Sequence, residues 1–591
     1  MKPIKLLLLF SLFFVPDVWA VKAWQEPLTV TQPDGTVFTA YTHGDEHFSW
    51  YASADSVILF RDNYTFYIAT IRRDGTIASS GLLAHEKPLR SKSELEAVAR
   101  QNRTLFFNKA TLSLHKARRR EPVAPDPILF PHTGSPRAIV ILAEYQDTLF
   151  TLPNPRKSFN QFLNHLGTPT DFGHGEGKNR SSVKQYFKDM SNGRFTPQFD
   201  IYGPIKLSKN LAYYGGNTTG SGNDEQEDEL VAEACRLMDD SLDFAQYDSN
   251  HDGIVDLVYV IYAGYGQNMG APANTMWPKS FTTYYTTKDH VQVRRCGISN
   301  ELLGNATSPA AKWISGIGLF CHEFSHCLGL PDFYPTKQAA RGDNQGMEAW
   351  SLMDYGSYTD NGWCPTAYTA WEREAFGWLT IDTLKDQQQV TLRNIDTGGK
   401  AYRIINKLNT TGKEYYILQN IQNEQWNTKL RGHGMLVYHV NYEAGAFSLS
   451  SNAVNNIKGK PRMTIVPADK LLLSSYSTSN LSTFKNQLKG DPFPGTAEVT
   501  SLTDASNLPN YAPWTGGLLN QPIYNIREED KTIYFDFMRD YATSIEKLAA
   551  DDASPAADGR IYSIDGRFVG YDKHRLPKGI YIMNKKKFVV Q

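Results

Sequence analysis

Cysteine is scarce, and its placement does not suit a disulfide scaffold. The 591 residues hold five, Cys235, Cys296, Cys321, Cys327 and Cys364, so at least one thiol has no partner within the chain. A surplus of charge is also missing: 61 basic against 62 acidic residues give a net charge of -1. That balance argues against nucleic acid or an anionic membrane surface as a partner. Long apolar runs are confined to the start, where Leu6 to Val15 is too short to span a bilayer, so no stable membrane span is expected. With Lys2 and Lys5 before it and Val18-Trp19-Ala20 after it, this run reads as an export signal over residues 1–20. The mature protein is then expected outside the cell or on its surface.

One stretch is itself short of compensating charge. No Lys or Arg lies between Lys312 and Lys337, yet the segment contains His322, Glu323, His326 and Asp332 in the run CHEFSHCLGLPDFY. On a helix, His322 and His326 sit about 40° apart around the axis and about 6 Å along it, so both imidazoles can reach one metal ion. Ile317, Phe320, Phe324 and Leu328 form an apolar stripe on the same helix, placing the histidines beside a core. Imidazoles and carboxylates there cost several kcal/mol of desolvation unless partnered. At this composition HExxH arises by chance about 0.02 times, and Gly329 and Asp332 at the further positions lower that to about 10⁻⁴. The spacing therefore predicts a zinc site. Cys321 and Cys327 lie roughly 120° apart on a helix and read as buried thiols.

The length implies about three or four domains. Residues 21 to about 90 alternate short β-type runs with turns such as Gln32-Pro33-Asp34-Gly35, and Ser91 with Glu94 fits a capping box opening a helix that runs towards Leu114. Arg118-Arg119-Arg120 then precedes a Pro-rich linker at 121–136 and reads as a helix end or a processing site. From Ala138 to Phe376 strand and helix patterns alternate: buried strands at Ala138–Ala143 and Leu257–Ala263, helices at Ser182–Met190, Glu225–Asp240 and Thr366–Phe376. Leu230, Val231, Ala234, Leu237 and Met238 are the inward positions expected of the second helix. Between it and the strand at 257, Asp248, Asn250, Asp252 and Asp256 place oxygens at alternate positions around Gly253. The bidentate Glu of a calcium loop is absent, since Tyr259 stands there; either Ca²⁺ or an Asx-rich turn satisfies the pattern. Residues 386–540 read as β runs separated by turns, as in a sandwich, with Leu471 to Asn486 as loop. A linker at 541–560 leads to a short strand-and-turn tail at 561–591.

The motif His322-Glu323-x-x-His326-x-x-Gly329-x-x-Asp332, with Met353 downstream, resembles the metzincin clan of zinc endopeptidases. Leu328 to Tyr334, Trp350-Ser-Leu-Met353 and Gly377-Trp378 are similar to the immune inhibitor A family of secreted metalloproteases, as are Ala263-Gly-Tyr-Gly266 and Gly434 to Val440. Roughly residues 137–540 are covered. The tail, with Asp565-Gly-Arg567 and Leu576-Pro-x-Gly-Ile-Tyr581, resembles the sorting domain of type IX secretion cargo, which makes secretion machinery a partner. The expected fold is a multidomain chain: a metzincin-like α/β catalytic domain at 137–385 followed by β-sandwich-type domains.

The resemblance implies a role for each position. His322, His326 and Asp332 ligate zinc, Gly329 permits the sharp turn that brings Asp332 round, and Met353 forms a turn beneath the metal. Many clan members carry His where Asp332 stands, which leaves Glu348 or Asp354 open as a third ligand. Tyr355 matches a tyrosine that binds the metal or steadies the oxyanion in some branches. Glu323 points about 100° away from His322 and can act as general base towards water attacking a peptide bond. Residues 21–120 become a propeptide. They contain no cysteine, which rules out a thiol latch and leaves an Asp or a backbone oxygen. Two rival readings stand beside proteolysis of protein or peptide substrates: a secreted adhesin or binding protein in which zinc is structural, and hydrolysis of a non-peptide amide. A structural site fills all four metal positions with protein groups and gives Glu323 no task.

Overall fold

The computed structural model describes residues 18–19, 21–45, 48–107, 129–167, 178–216, 224–307, 313–342, 344–472, 481–541, 559–583 and 586–590. The export run, Arg118 to Arg120 and most of the 541–560 linker lie outside the described residues. No described helix is long and apolar enough to cross a membrane.

A twisted sheet organises residues 137–302. Its order runs Val18–Trp19, Lys279–Thr286, Gln292–Leu302, Val258–Tyr265, Arg137–Glu144, Gln198–Lys206. The last four strands are mutually parallel, and their continuous Val, Ile and Tyr runs suit a sheet covered on both faces. Lys279–Thr286 is the antiparallel member beside them, and Val18–Trp19 pairs antiparallel with it, Trp19 opposite Ser280. Helix Glu227–Met238 packs on one face, with Leu230, Val231, Ala234 and Cys235 buried. Leu237 points to solvent instead, 47% exposed, because the buried arc is centred on Ala234. The other face carries helices Val183–Met190 and Ile317–Leu328.

Residues 28–83 form a six-stranded antiparallel meander with strands in chain order. The predicted capping box is present: Ser91 accepts the N–H of Glu94 and Glu94 reaches back to the N–H of Ser91. The helix breaks at Ala99, where Gln101 turns aside to bind the backbone of Ile58 and Ala69, and helical backbone resumes over residues 103–107, beyond which the stretch to Leu114 lies outside the described residues. A similar shortening occurs at Ala370–Ala375, where Thr369 and Glu372 form the cap three residues inside the predicted start.

Beyond residue 380 two sheets share an apolar core, a five-stranded one built on Glu414–Ile421 and Gly434–Asn441 and a three-stranded one built on Thr532–Phe537. The far face of the five-stranded sheet joins the core around helix Ile317–Leu328: Tyr415, Tyr438 and Phe447 lie in one cluster with Phe324, Phe333 and Trp371. The core thus runs across residue 385 without a break. Part of the predicted 471–486 loop is helical, at Leu481–Gln487. Among the described residues the tail strands Ile561–Ser563, Phe568–Gly570, Gly579–Met583 and Lys586–Val590 pair only with one another.

Candidate metal and catalytic centre

Helix Ile317–Leu328 is buried along its whole length, beyond the single apolar stripe expected of it. Its approach to the segment Tyr355–Gly362 is close enough to require glycine: a Cβ on Gly318 would fall 2.0 Å from the Ser357 carbonyl oxygen. At the other end Gly329 takes φ +115°, a left-handed cap that reverses the chain. Three residues later Asp332 points back at the helix. Its Oδ1 lies 3.2 Å from His322 Nε2 and 3.5 Å from His326 Nε2. Among the described residues this trio is the only group of three or more His, Cys, Asp or Glu side chains whose ligating atoms converge within 4.8 Å.

The support behind these atoms fixes their state. His322 Nδ1–H donates to the Leu352 carbonyl at 2.8 Å and His326 Nδ1–H to the Leu330 carbonyl at 2.7 Å. Each ring therefore turns the lone pair of Nε2 towards Asp332. Asp332 Oδ2 accepts from Asn452 Nδ2 at 2.6 Å, and the Asp332 N–H donates to Asn452 Oδ1 at 2.8 Å. His322 Nε2, His326 Nε2, Asp332 Oδ1 and Glu323 Oε2 are fully buried and make no hydrogen bond. The first three, orphaned buried acceptors converging on one small volume, fit a cation. Burial pushes against the charged state of every group here. It raises Glu323 to about 8, offset in part by His322. Burial would raise Asp332 as well, yet the two imidazoles outweigh it and hold that carboxyl below its ordinary range. Burial lowers His326; at His322 the Asp332 contact wins and the ring is raised.

The turn carrying Met353 is tied to this centre through the backbone. Leu352 supplies the carbonyl that holds His322, and the Met353 carbonyl accepts the N–H of Phe333, next to Asp332. Glu348 and Asp354 do not join the trio. Both face Lys22, whose Nζ lies 3.5 Å from each, with all three side chains at 0% exposure. Tyr355 packs against Tyr358 and Phe484, with its hydroxyl towards the backbone of Gln25.

Lys22 belongs to the first residues of the segment expected as a propeptide, whose contacts the sequence did not indicate. After the Val18–Trp19 pairing, the Val21 N–H donates to Glu323 Oε1 at 2.9 Å. The Val21 carbonyl accepts from Trp277 Nε1 at 3.0 Å, and the Lys22 carbonyl from the Tyr358 hydroxyl at 2.6 Å. Ala23 and Trp24 continue onto the carbonyls of Gly44 and Asn268. The group resting on Glu323 is thus a backbone N–H donor. Beside the segment opens a cleft of about 1070 Å³, lined among others by Trp24, Leu28, Trp313, Tyr355, Tyr358 and Phe484.

The aspartate-rich turn is closed by its own side chains. Asp248 accepts the N–H groups of Asp252 and Gly253, Asp252 that of Ile254, Asn250 binds Asp252, and Asp256 accepts from Ser249. All five cysteines are buried free thiols.

Residues 155–379, which contain His322, Glu323, His326 and Asp332, match the immune inhibitor A peptidase M6 catalytic domain family. The chain is similar to pre-pro-metalloprotease PrtV of Vibrio cholerae serotype O1 (strain M66-2), 24% identical over 422 residues, covering 66% of this chain and 44% of that protein. It is also similar to Immune inhibitor A of Bacillus thuringiensis subsp. alesti, 26% identical over 230 residues, covering 34% and 32% respectively. The chain spans less than half the length of these relatives. The matches support a metalloprotease function.

Proposed function

We propose that the chain is a zinc-dependent endopeptidase of the metzincin clan, exported as a zymogen and hydrolysing peptide bonds of protein substrates. One observation carries the reading: beside three converging ligand atoms, a buried carboxylate accepts a backbone N–H from a peptide segment that has just run along a sheet edge. His322, His326 and Asp332 would hold the metal. Zinc supplies Lewis acidity there, polarising a carbonyl and making water a stronger nucleophile.

Glu323 would take a proton from the attacking water and return it to the leaving nitrogen. The 2.9 Å from its Oε1 to the Val21 nitrogen is in range for such a transfer. A substrate would add as a strand to the edge Lys279–Thr286, where Val18–Trp19 lies before export cleavage. Tyr355 would steady the oxyanion once Gln25 has left its hydroxyl. Residues 21–120 would act as the propeptide, closing the site with their first residues. Export cleavage after Ala20 would turn the Val21 nitrogen into an α-amino group and make its contact with Glu323 charge-assisted. The tail at 561–591 would address the chain to its secretion machinery.

Glu323→Gln tests the reading. The full-length variant should keep its zinc content and its circular dichroism spectrum, while cleavage of casein or gelatin by the processed protein falls about 10²–10⁴-fold. Persisting cleavage in a zinc-loaded variant would sink the general-base role.

A further inference from the structure

Lys22 is a fully buried cation supplied by the leading segment, and the body of the protein answers it with two fully buried carboxylates. An ammonium in such a place is costly unless paired, so the pocket is built for a positive charge. Asp354 is held independently of Lys22. Asp354 Oδ2 accepts the N–H groups of Met347 and Glu348 at 3.0 and 2.8 Å, and Glu348 is fixed in the left-handed region at φ +48°.

The pocket also has a defined place relative to the chemistry. Lys22 directly follows the residue whose N–H rests on Glu323, and its carbonyl is held by Tyr358. The chain before it pairs antiparallel with the edge strand, Val18 opposite Phe281 and Trp19 opposite Ser280. A peptide lying in the same direction puts its second residue past the scissile nitrogen between Glu348 and Asp354. When the leading segment departs, two neighbouring carboxylates remain in a buried pocket without that ammonium. Burial and Glu348 both push the Asp354 carboxyl up, and the Lys22 ammonium offsets them. Only another cation restores the balance without proton uptake.

We infer that Glu348 and Asp354 form a specificity subsite for lysine at the second residue on the leaving-group side of the cleaved bond. The inference rests on the endopeptidase reading, with Lys22 as the resident mimic in the precursor. Lysine suits the site better than arginine: a compact ammonium on a flexible stem meets two separate oxygens at 3.5 Å, whereas a planar fork prefers one bidentate carboxylate.

The test uses the zinc-loaded full chain after processing of its own N-terminus, with a proteome-derived peptide library and products mapped by mass spectrometry. Lysine should be enriched about 10-fold or more at the second residue after the cut. In matched fluorogenic peptides Glu348→Gln should lower the lysine-to-norleucine ratio of kcat/KM by about 10-fold. No cleavage of any peptide by the parent chain would count against the endopeptidase reading. Cleavage without lysine enrichment, or with arginine preferred, overturns the subsite. A second arm is independent of activity. In the unprocessed precursor Lys22→Met should speed hydrogen exchange at the amides of residues 21–25 by about 10-fold. Unchanged exchange would mean the acidic pair does not hold the cation, and the assignment fails.

Discussion

Asp332 reaches the metal position with one oxygen because the other, together with its own N–H, is taken by a single residue 120 positions away, Asn452. That amide does for the carboxylate what the Leu352 and Leu330 carbonyls do for the histidines: it fixes orientation and charge. Asn452→Ala should therefore weaken zinc binding by about 10- to 100-fold in a chelator competition. Unfolding should change far less, because the loop retains the Asn455 bonds to Phe333 and Met463. Equal zinc affinity in the variant would show that Asp332 needs no such support. The convergence of His322, His326 and Asp332 was legible in the sequence because side chains on one helix and its following turn obey a fixed spacing. Asn452 was not: an Asn in a Ser/Asn-rich loop carries no periodic signal, and only the tertiary fold brings it to Asp332.

Elements were readable where one local rule governed them. Strands Glu414–Ile421 and Gly434–Asn441 begin where their apolar runs begin, and the Ser91 box opens its helix at the predicted residue. Other boundaries were harder, as at the end at Ala99 and the start at Thr369, because a cap or a side chain drawn into tertiary contact decides them. The paired strands at 414 and 434 carry a charge device of this tertiary kind. Glu414 Oε1 meets His439 Nε2 at 3.0 Å and the N–H of Trp514, while Oε2 accepts from Asn406. Burial would raise this carboxyl, but those donors outweigh it and hold the pKa at about 2. A lowered folded-state value stabilises the fold above the ordinary carboxylate range, and the contribution is lost as pH falls through about 2. Glu414→Gln should thus cost about 1–2 kcal/mol at pH 7 after solvent screening, read by urea unfolding. The gap between parent and variant should close as pH falls from about 4.5 towards 2. A gap that stays constant over that range would assign the effect to packing instead.

On the scale of the whole molecule, the leading segment and the meander behind it are clamped to the body at several points. Tyr51 donates to the Ala271 carbonyl at 3.0 Å and Arg61 binds the Gly270 carbonyl. Asp45, next to the Gly44 carbonyl that holds Ala23, pairs with Arg341 in a contact buried on both sides. None of these anchors was visible in the chain, since they stand 200 or more residues from their partners; the sequence marked the region as a β unit expected to be a propeptide, without its contacts. Breaking a buried ion pair from one side costs about 3–5 kcal/mol, because the remaining charge is left in a site built for two. Asp45→Asn should accordingly loosen the anchor of the leading segment while leaving the metal trio untouched. In a precursor blocked from processing, cleavage of a short fluorogenic peptide should rise about 10-fold or more over the parent, with zinc content unchanged. If activity stayed at the precursor level while limited proteolysis showed the 28–83 meander released, closure would reside in the Val21–Lys22 contacts alone and the clamp would serve only to dock the meander.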